Sequence, residues 1–340
     1  GINNGEIRQL VKITHDFNKL YEIAIDNPFR LYCLSLEKAM EIYNRIGKKT
    51  TTEHLVCGGI TRRIYNNSIQ RGWTTTPLAH IKREFTTFSK YKNILANNYF
   101  VIYDEECRGR EMVYLKYFET VEKEVSDILV ERVCNTNTKL KEIFGEDFVL
   151  RTDSSVPLSK DQEKAIQGAL RNKVSLIYGL PGTGKTSIIK EIVHYLEQEG
   201  IDYTIAAFTG KAVARLRDVL GSTVPKTLHL TIKKAELIKF DHLIIDEASM
   251  VTTELFWEFL HKFPIPFSVT FVGDPNQLPP IGCGSLFQDL LESKKFPCFE
   301  LLQNHRVYKV EGEEDGILLN TKRIVNLKSP KQRGFKPIRF

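Results

Sequence analysis

The run GLPGTGKT at Gly179–Thr186 constrains this chain more than any other feature, because Asp246 follows it sixty residues later at the end of the apolar run HLIID. Wrapping a phosphate needs closely spaced backbone N–H groups, and glycines let the loop close without side-chain clashes. Gly179, Gly182, Thr183 and Gly184 supply that cradle, Lys185 can reach the outer phosphates, and the Thr186 hydroxyl can ligate Mg²⁺. The loop is preceded by VSLIY, an apolar β-rich run, and followed by SIIKEIVHYLEQEG, an amphipathic helix pattern ending at Gly200. Strand, loop and helix in that order predict a site for a nucleoside triphosphate with Mg²⁺.

The rest of the second half alternates strand and helix, as a parallel sheet requires. Strands are expected at Val174–Tyr178, Thr204–Phe208, Leu243–Asp246, Ser268–Val272 and Phe299–Leu302, with helices around 185–199, 211–220, 252–262 and 284–292. In open α/β sheets, ligands sit beyond the carboxyl ends of the strands, which places the functional loops. Asp246 is then a carboxylate beside the metal held by Thr186, and Glu247 can orient or deprotonate an attacking water. VTFVGD ends in GDPNQLPP, where Gln277 can contact the γ-phosphate while Pro279 and Pro280 stiffen the turn. Gln162, 17 residues before Gly179, carries one donor and one acceptor that could read an adenine edge.

At 340 residues the chain is long enough for two or three domains. Residues 1–155 read as a mainly helical region from ITHDFNKLYEIAIDN, LEKAMEIYNRIG and VEKEVSDILVERVCNTNTKLKEIFG, with a short β-pair around YFVIYDEECRGREMVYL. RTDSSVPLS is a polar connector, after which Ser159 can cap a helix over KDQEKAIQGAL. Residues 156–303 form the nucleotide-binding sheet, and 304–340 the start of a further domain. Six cysteines (Cys33, Cys57, Cys107, Cys134, Cys283, Cys298) lack any CxxC pairing and read as reduced thiols. With no membrane-length apolar run and no secretory pattern, a soluble intracellular protein is expected, its cytoplasmic or nuclear address open.

The net charge of +6 is unevenly spread: residues 321–340 hold seven Lys or Arg and no acid. A second zone, Arg62–Lys92, has seven basic residues against Glu84 alone, interleaved with Tyr65, Trp73, Phe85, Phe88 and Tyr91. Such mixtures suit phosphate neutralisation and base stacking, although taken singly these aromatics are better placed in a core.

In order, LSKDQEKAI, GLPGTGKTS, AAFTGKAVARL, TLH, LIIDEASM, FVGDPNQLPPIGCGSLFQDLL and ELLQNHR resemble the successive motifs of superfamily 1B DNA helicases of the RecD-like type, over residues 157–306. The resemblance implies a RecA-like P-loop domain and a 5′-to-3′ DNA motor driven by ATP, serving replication or repair alongside replication or recombination proteins. By the same resemblance Gln162 recognises adenine, and Thr209, Gly210 and Lys211, with Thr227 and His229, line a single-stranded DNA channel. Gln277 then couples the γ-phosphate to domain movement, and Arg306 stabilises transition-state charge from the start of a second RecA-like domain. DNPFRLYCLSLEKAMEIYNRIG, RIYNNSIQRGWTTTP and REMVYLKYFETVEKEVSDIL resemble the N-terminal region of the same family, except that CLSLEKA lacks its G-x-G turn and reads as helical scaffold. The chain continues 34 residues past Arg306 without the family's later motifs, so a piece of a longer motor with weak hydrolysis is expected. An RNA-directed superfamily 1 helicase and a nucleotide-gated scaffold without catalysis remain open alternatives.

Overall fold

The computed structural model describes residues 10, 17–72, 74–99, 101–104, 110–134, 139–145, 148, 150 and 157–303. Trp73, Arg306, the basic run of 321–340 and most of the connector lie outside the described residues. The chain divides into two compact units, one made of 1–127 with 252–258 and 279–285, the other of the remaining segments.

The first unit is mainly helical, as its sequence predicts. Its helices are α1 (Phe17–Asp26), α2 (Leu36–Arg45), α3 (Thr52–Arg71), α4 (Leu78–Glu84) and α5 (Phe88–Asn98), followed by α6 (Lys116–Cys134), which starts in this unit. The expected β-pair is present as β2 (Val101–Asp104) and β3 (Met112–Leu115), and β1 (Thr76–Pro77) adds a third antiparallel strand, in the order β1-β3-β2. Within CLSLEKA the Ser35 hydroxyl accepts from Lys38 N at 3.2 Å and starts α2 as an ordinary N-cap. The two later segments join this unit through specific bonds: Tyr117 Oη donates to Glu254 at 2.7 Å, Trp257 Nε1 donates to Glu124 at 2.6 Å, and Gly284 N donates to Gly72 O at 3.2 Å.

In the basic zone of 62–92, Arg62 is structural. Arg62 is 8 % exposed, and its guanidinium donates to the carbonyls of Leu34, Phe29 (3.2 Å), Gly58 (2.9 Å) and Leu31 (3.4 Å). Arg63 pairs with Glu84 and Lys82 with Glu111, while Phe88 and Tyr91 are buried. The aromatics pack a core because α3 and α5 each bury one face against the small sheet. Arg62 in particular offers no charge to a phosphate.

In the second unit come α7 (Lys139–Ile143), α8 (Lys160–Arg171), β4 (Val174–Gly179), α9 (Lys185–Gln198), β5 (Tyr203–Ala207), α10 (Gly210–Leu220), β6 (Lys226–Thr227) and α11 (Leu228–Lys233). These are followed by β7 (His242–Asp246), α12 (Thr253–Lys262, its first residues counted with the other unit), β8 (Ser268–Gly273), α13 (Leu286–Ser293) and β9 (Cys298–Leu301). The six strands are all parallel, ordered β6-β5-β7-β8-β4-β9. Every residue of β7 and β8 is buried, so these strands are near-continuous apolar runs with both faces covered. Ile177, Ile188, Ile192, Leu196, Ile205, Ile244 and Val272 form the centre of the core, each contributing about 1.5–3 kcal/mol by burial. The expected strands agree to within a residue; β6 is a two-residue addition too short to carry a periodic signal.

Helix α8 lies against β9 with Gly168 facing the Phe299 ring. A Cβ at Gly168 would sit 2.0 Å from that ring, so the interface exists only because the side chain is absent. Gly168→Ala is expected to lower unfolding free energy by about 1–3 kcal/mol through overpacking. Phe299→Ala in the same chain should recover part of it; chemical denaturation of the single and double variants measures both.

A polar chain crosses three central strands beneath the nucleotide loop. Ser175 Oγ meets Thr270 Oγ1 at 3.0 Å, and Thr270 Oγ1 meets His242 Nε2 at 3.0 Å. Burial pushes the His242 imidazole from 6.5 down to about 4, so the folded protein keeps it neutral where an unfolded chain would take up a proton. This contribution is full above pH 6.5 and is lost as pH falls from 6.5 towards 4, amounting to about 3 kcal/mol. His242→Leu should flatten that part of the stability–pH curve, as read from urea midpoints over the same interval.

Candidate nucleotide site

β4 is a buried apolar strand that stops at Gly179, and α9 begins at Lys185, so the loop between them is held at both ends by the core. Gly182 and Gly184 adopt φ of 90° and 87°, left-handed values that disfavour a side chain and turn successive N–H groups towards one concavity. A Cβ at Gly179 would lie 2.7 Å from Thr183 Oγ1 and 2.9 Å from Leu301 O. Thr183 is buried and closes the turn by donating from Oγ1 to Leu180 O at 2.9 Å. Lys185 Nζ donates to Gly179 O (2.7 Å) and Leu180 O (3.0 Å), which keeps the ammonium against the loop. Burial lowers the Lys185 pKa, opposed by the charges of Asp274, Glu247 and Asp246.

The sheet order sets β8 between β4 and β7, so three strand ends converge on the loop. Asp246 ends β7 and is 2 % exposed at its side chain. Its Oδ1 accepts from Glu247 N at 2.9 Å and its Oδ2 from Arg215 Nη2 at 2.9 Å. Burial raises its pKa and Glu247 adds to this, with Arg215 and the Glu247 N–H acting against them. Glu247 has φ +53°, a left-handed conformation costing about 1 kcal/mol for a side-chain-bearing residue, and this turn brings its carboxylate beside Gln277. Gln277 Nε2 donates to Glu247 Oε2 at 3.2 Å and Gln277 Oε1 accepts from Ser249 Oγ at 3.3 Å. Asp274, at the end of β8, is buried and accepts from Asn276 N at 3.0 Å, which shapes the turn carrying Gln277.

Gln162 is 5 % exposed and bridges protein groups: its Oε1 accepts from Ser159 N at 3.0 Å in a capping box, and its Nε2 donates to Thr183 O at 3.3 Å. It therefore ties the start of α8 to the phosphate loop. Neighbouring Asp161 accepts from Leu302 N at 2.8 Å, fixing the chain as it leaves β9.

At the other end of the sheet the register Ala207↔Thr227 sets two caps side by side. Thr209 caps α10, accepting from Ala212 N at 3.1 Å, and Thr227 caps α11, accepting from Leu230 N at 3.3 Å. Gly210 has open space at its Cβ position, Lys211 and His229 are exposed, and the His229 ring meets Phe208 edge-on at 6.1 Å. The fold thus brings together Gly179, Gly182, Thr183, Gly184, Lys185, Asp246, Glu247 and Gln277 as one group, with Thr186 following Lys185 on α9, and Thr209, Gly210, Lys211, Thr227 and His229 as another.

The sequence reading missed Arg215, Ser249 and Asp274. Asp274 carried a legible signal, an acid directly after an apolar strand as at Asp246; Arg215 carried only its place one turn beyond Lys211 on α10. The donor set fits Mg²⁺ held with a nucleotide: one hydroxyl, one buried carboxylate and a glycine-lined cradle, rather than a protein cage of carboxylates. Among the described residues no group of three or more His, Cys, Asp or Glu is placed to hold a metal ion by itself. No helix among them is long and apolar enough to cross a membrane.

Residues 157–327 match the family model described as AAA domain. The chain is similar to the ATP-dependent RecD2 DNA helicase of Deinococcus radiodurans, 27 % identical over 207 residues that cover 58 % of this chain and 28 % of the relative. It is 29 % identical to the RecBCD enzyme subunit RecD of Buchnera aphidicola over 159 residues, covering 38 % of this chain and 26 % of the relative. Among solved structures, the Pif1 helicase from Candida albicans aligns over 49 % of this chain and 44 % of its own, with 23 % identity and a TM-score of 0.37. The chain spans about a quarter of the length of the two RecD relatives. With a family model covering half its length and a strand–loop–helix site at the centre of a parallel sheet, the chain belongs to the AAA domain family, as a RecA-like ATPase domain related to RecD helicases.

Proposed function

We propose that this chain is the nucleotide-binding part of an ATP-driven helicase or translocase that moves 5′ to 3′ on single-stranded DNA, in replication or repair. The convergence of the phosphate loop, Asp246–Glu247 and Gln277 at three neighbouring strand ends carries this reading. The DNA substrate rests on the RecD-like motif order and on the likeness to an ATP-dependent DNA helicase, and the direction on the motif order alone.

Mg²⁺ bound with ATP would neutralise charge on the β- and γ-phosphate oxygens. Thr186 would ligate it through its hydroxyl, and Asp246 would orient its water shell by accepting hydrogen bonds. Lys185 turns from its loop carbonyls to the outer phosphates. Glu247 holds the attacking water and takes its proton, with its carboxylate aimed by Gln277. Gln277 is bonded to both Glu247 and Ser249, so a change at the γ-phosphate reaches the turn of 274–277 through one amide. Gln162 reads adenine in this proposal by exchanging one of its protein partners for the base. Thr209, Gly210, Lys211, Thr227 and His229 line the strand-binding surface, with exposed Lys211 supplying charge to a phosphate. Arg306, outside the described residues, would act from the start of a second RecA-like domain at 304–340.

The test is Mg²⁺-dependent binding of a fluorescent ATP analogue, followed by turnover with and without single-stranded DNA or RNA at low and moderate salt. Stimulation by DNA supports the proposal, and stimulation by RNA alone reassigns the substrate. Absence of Mg²⁺-dependent nucleotide binding would sink the reading altogether.

A further inference from the structure

Asp246 and Glu247 share the guanidinium of Arg215. Arg215 Nη2 lies 2.9 Å from Asp246 Oδ2 and 3.4 Å from Glu247 Oε1. Asp246 is nearly inaccessible, at 2 % exposure, and its other oxygen already accepts from Glu247 N. The Glu247 carboxylate is likewise engaged on both oxygens, by Arg215 and by Gln277 Nε2 at 3.2 Å. A water in a metal's shell that is to donate to Asp246 must therefore share or take over the position held by the guanidinium. Arg215 itself can leave: its side chain is 42 % exposed and stands on α10, one turn beyond Lys211.

We propose that Arg215 is a built-in antagonist of the divalent cation. It offsets part of the charge of Asp246 and Glu247 when no Mg²⁺–nucleotide is bound, and it competes with the metal's water shell for Asp246. Two neighbouring carboxylates without a cation repel each other, so the arginine keeps the strand end in its working shape between turnovers. Because α10 begins at Thr209–Lys211, the same helix that carries the proposed strand contact also carries the residue that gates the metal. The inference rests on the reading of Asp246 as the metal-orienting carboxylate.

The experiment compares the wild-type chain with Arg215→Gln and Arg215→Lys, measuring the Mg²⁺ concentration that half-saturates binding of a fluorescent ADP at fixed nucleotide. A competitor removed by Arg215→Gln lowers that concentration about five-fold or more, with Arg215→Lys in between, because the lysine keeps the charge but not the forked geometry. A second readout is thermal stability in EDTA. Arg215→Gln should melt lower than wild type there and recover more of the difference when Mg²⁺–ADP is added. An unchanged or raised Mg²⁺ requirement in Arg215→Gln, with normal Mg²⁺-dependent binding in the wild type, overturns the inference and leaves the site reading intact. Mg²⁺-independent binding in the wild type overturns both.

Discussion

Lys185→Met should lower the affinity for ATP or its analogues by about 100-fold or more, the equivalent of about 3 kcal/mol, in equilibrium titrations with Mg²⁺ present. The ammonium is the cation of the phosphate loop, it is half buried, and the loop geometry aims it across the glycine cradle. In water such a charge would contribute little, whereas within a partly desolvated loop each charge-assisted hydrogen bond counts roughly double. The fold should survive the substitution. Lys185 Nζ bonds two loop carbonyls at the end of β4, and the buried face of α9 includes Ile188, Ile189, Ile192 and Leu196. A variant with normal melting and normal ATP affinity would remove the loop from the site.

The second large effect is on stability. Arg62→Met should destabilise the helical unit by about 3–5 kcal/mol, measured by chemical denaturation, because it strands the buried carbonyls of Phe29 and Leu34 and removes the packing of the guanidinium. The carbonyls of Phe29 and Leu34 belong to the DNPFRLYCL stretch, where Pro28 opens a turn and no regular helix or strand is available to satisfy them, whereas Leu31 O also accepts from Leu34 N at 2.9 Å. Asn27 caps that turn by accepting from Phe29 N at 3.1 Å, and Arg62 completes it from α3. A Cβ at Gly58 would lie 2.8 Å from Arg62 Nη1, so the helix also makes room for the guanidinium. Arg62→Lys should recover only part of the loss, since one ammonium cannot reach all the oxygens served by a planar fork.

The two halves of the chain differ in how far they could be read beforehand. Strand, loop and helix around Gly179–Thr186, and the acids closing HLIID and VTFVGD, are written in local patterns of apolar run and turn residue, so the sheet and its loop were legible. Arg62 was not: in sequence it is one of a run of cations, and its role depends on carbonyls some thirty positions upstream. Arg215 was hidden for the same reason, its partners lying on a strand that the chain has yet to form when α10 ends. His242 opens a strand, a place where a polar residue usually reaches water, and only the parallel pairing on both sides buries it. Gln162 was read for its amide, and the structure adds that a capping box and a loop carbonyl hold that amide.

The position of β4 in the sheet bears on how the molecule is born. Its neighbours, β8 and β9, begin at Ser268 and Cys298, so during synthesis the strand carrying the phosphate loop emerges with neither partner. β5 and β7 can pair earlier, yet neither touches β4. Such long-range parallel pairing is slow and leaves an unpaired strand exposed in the meantime. A nascent chain on the ribosome would therefore display GLPGTGKT long before it could grip a nucleotide, and ATP capture would mark the completion of the sheet.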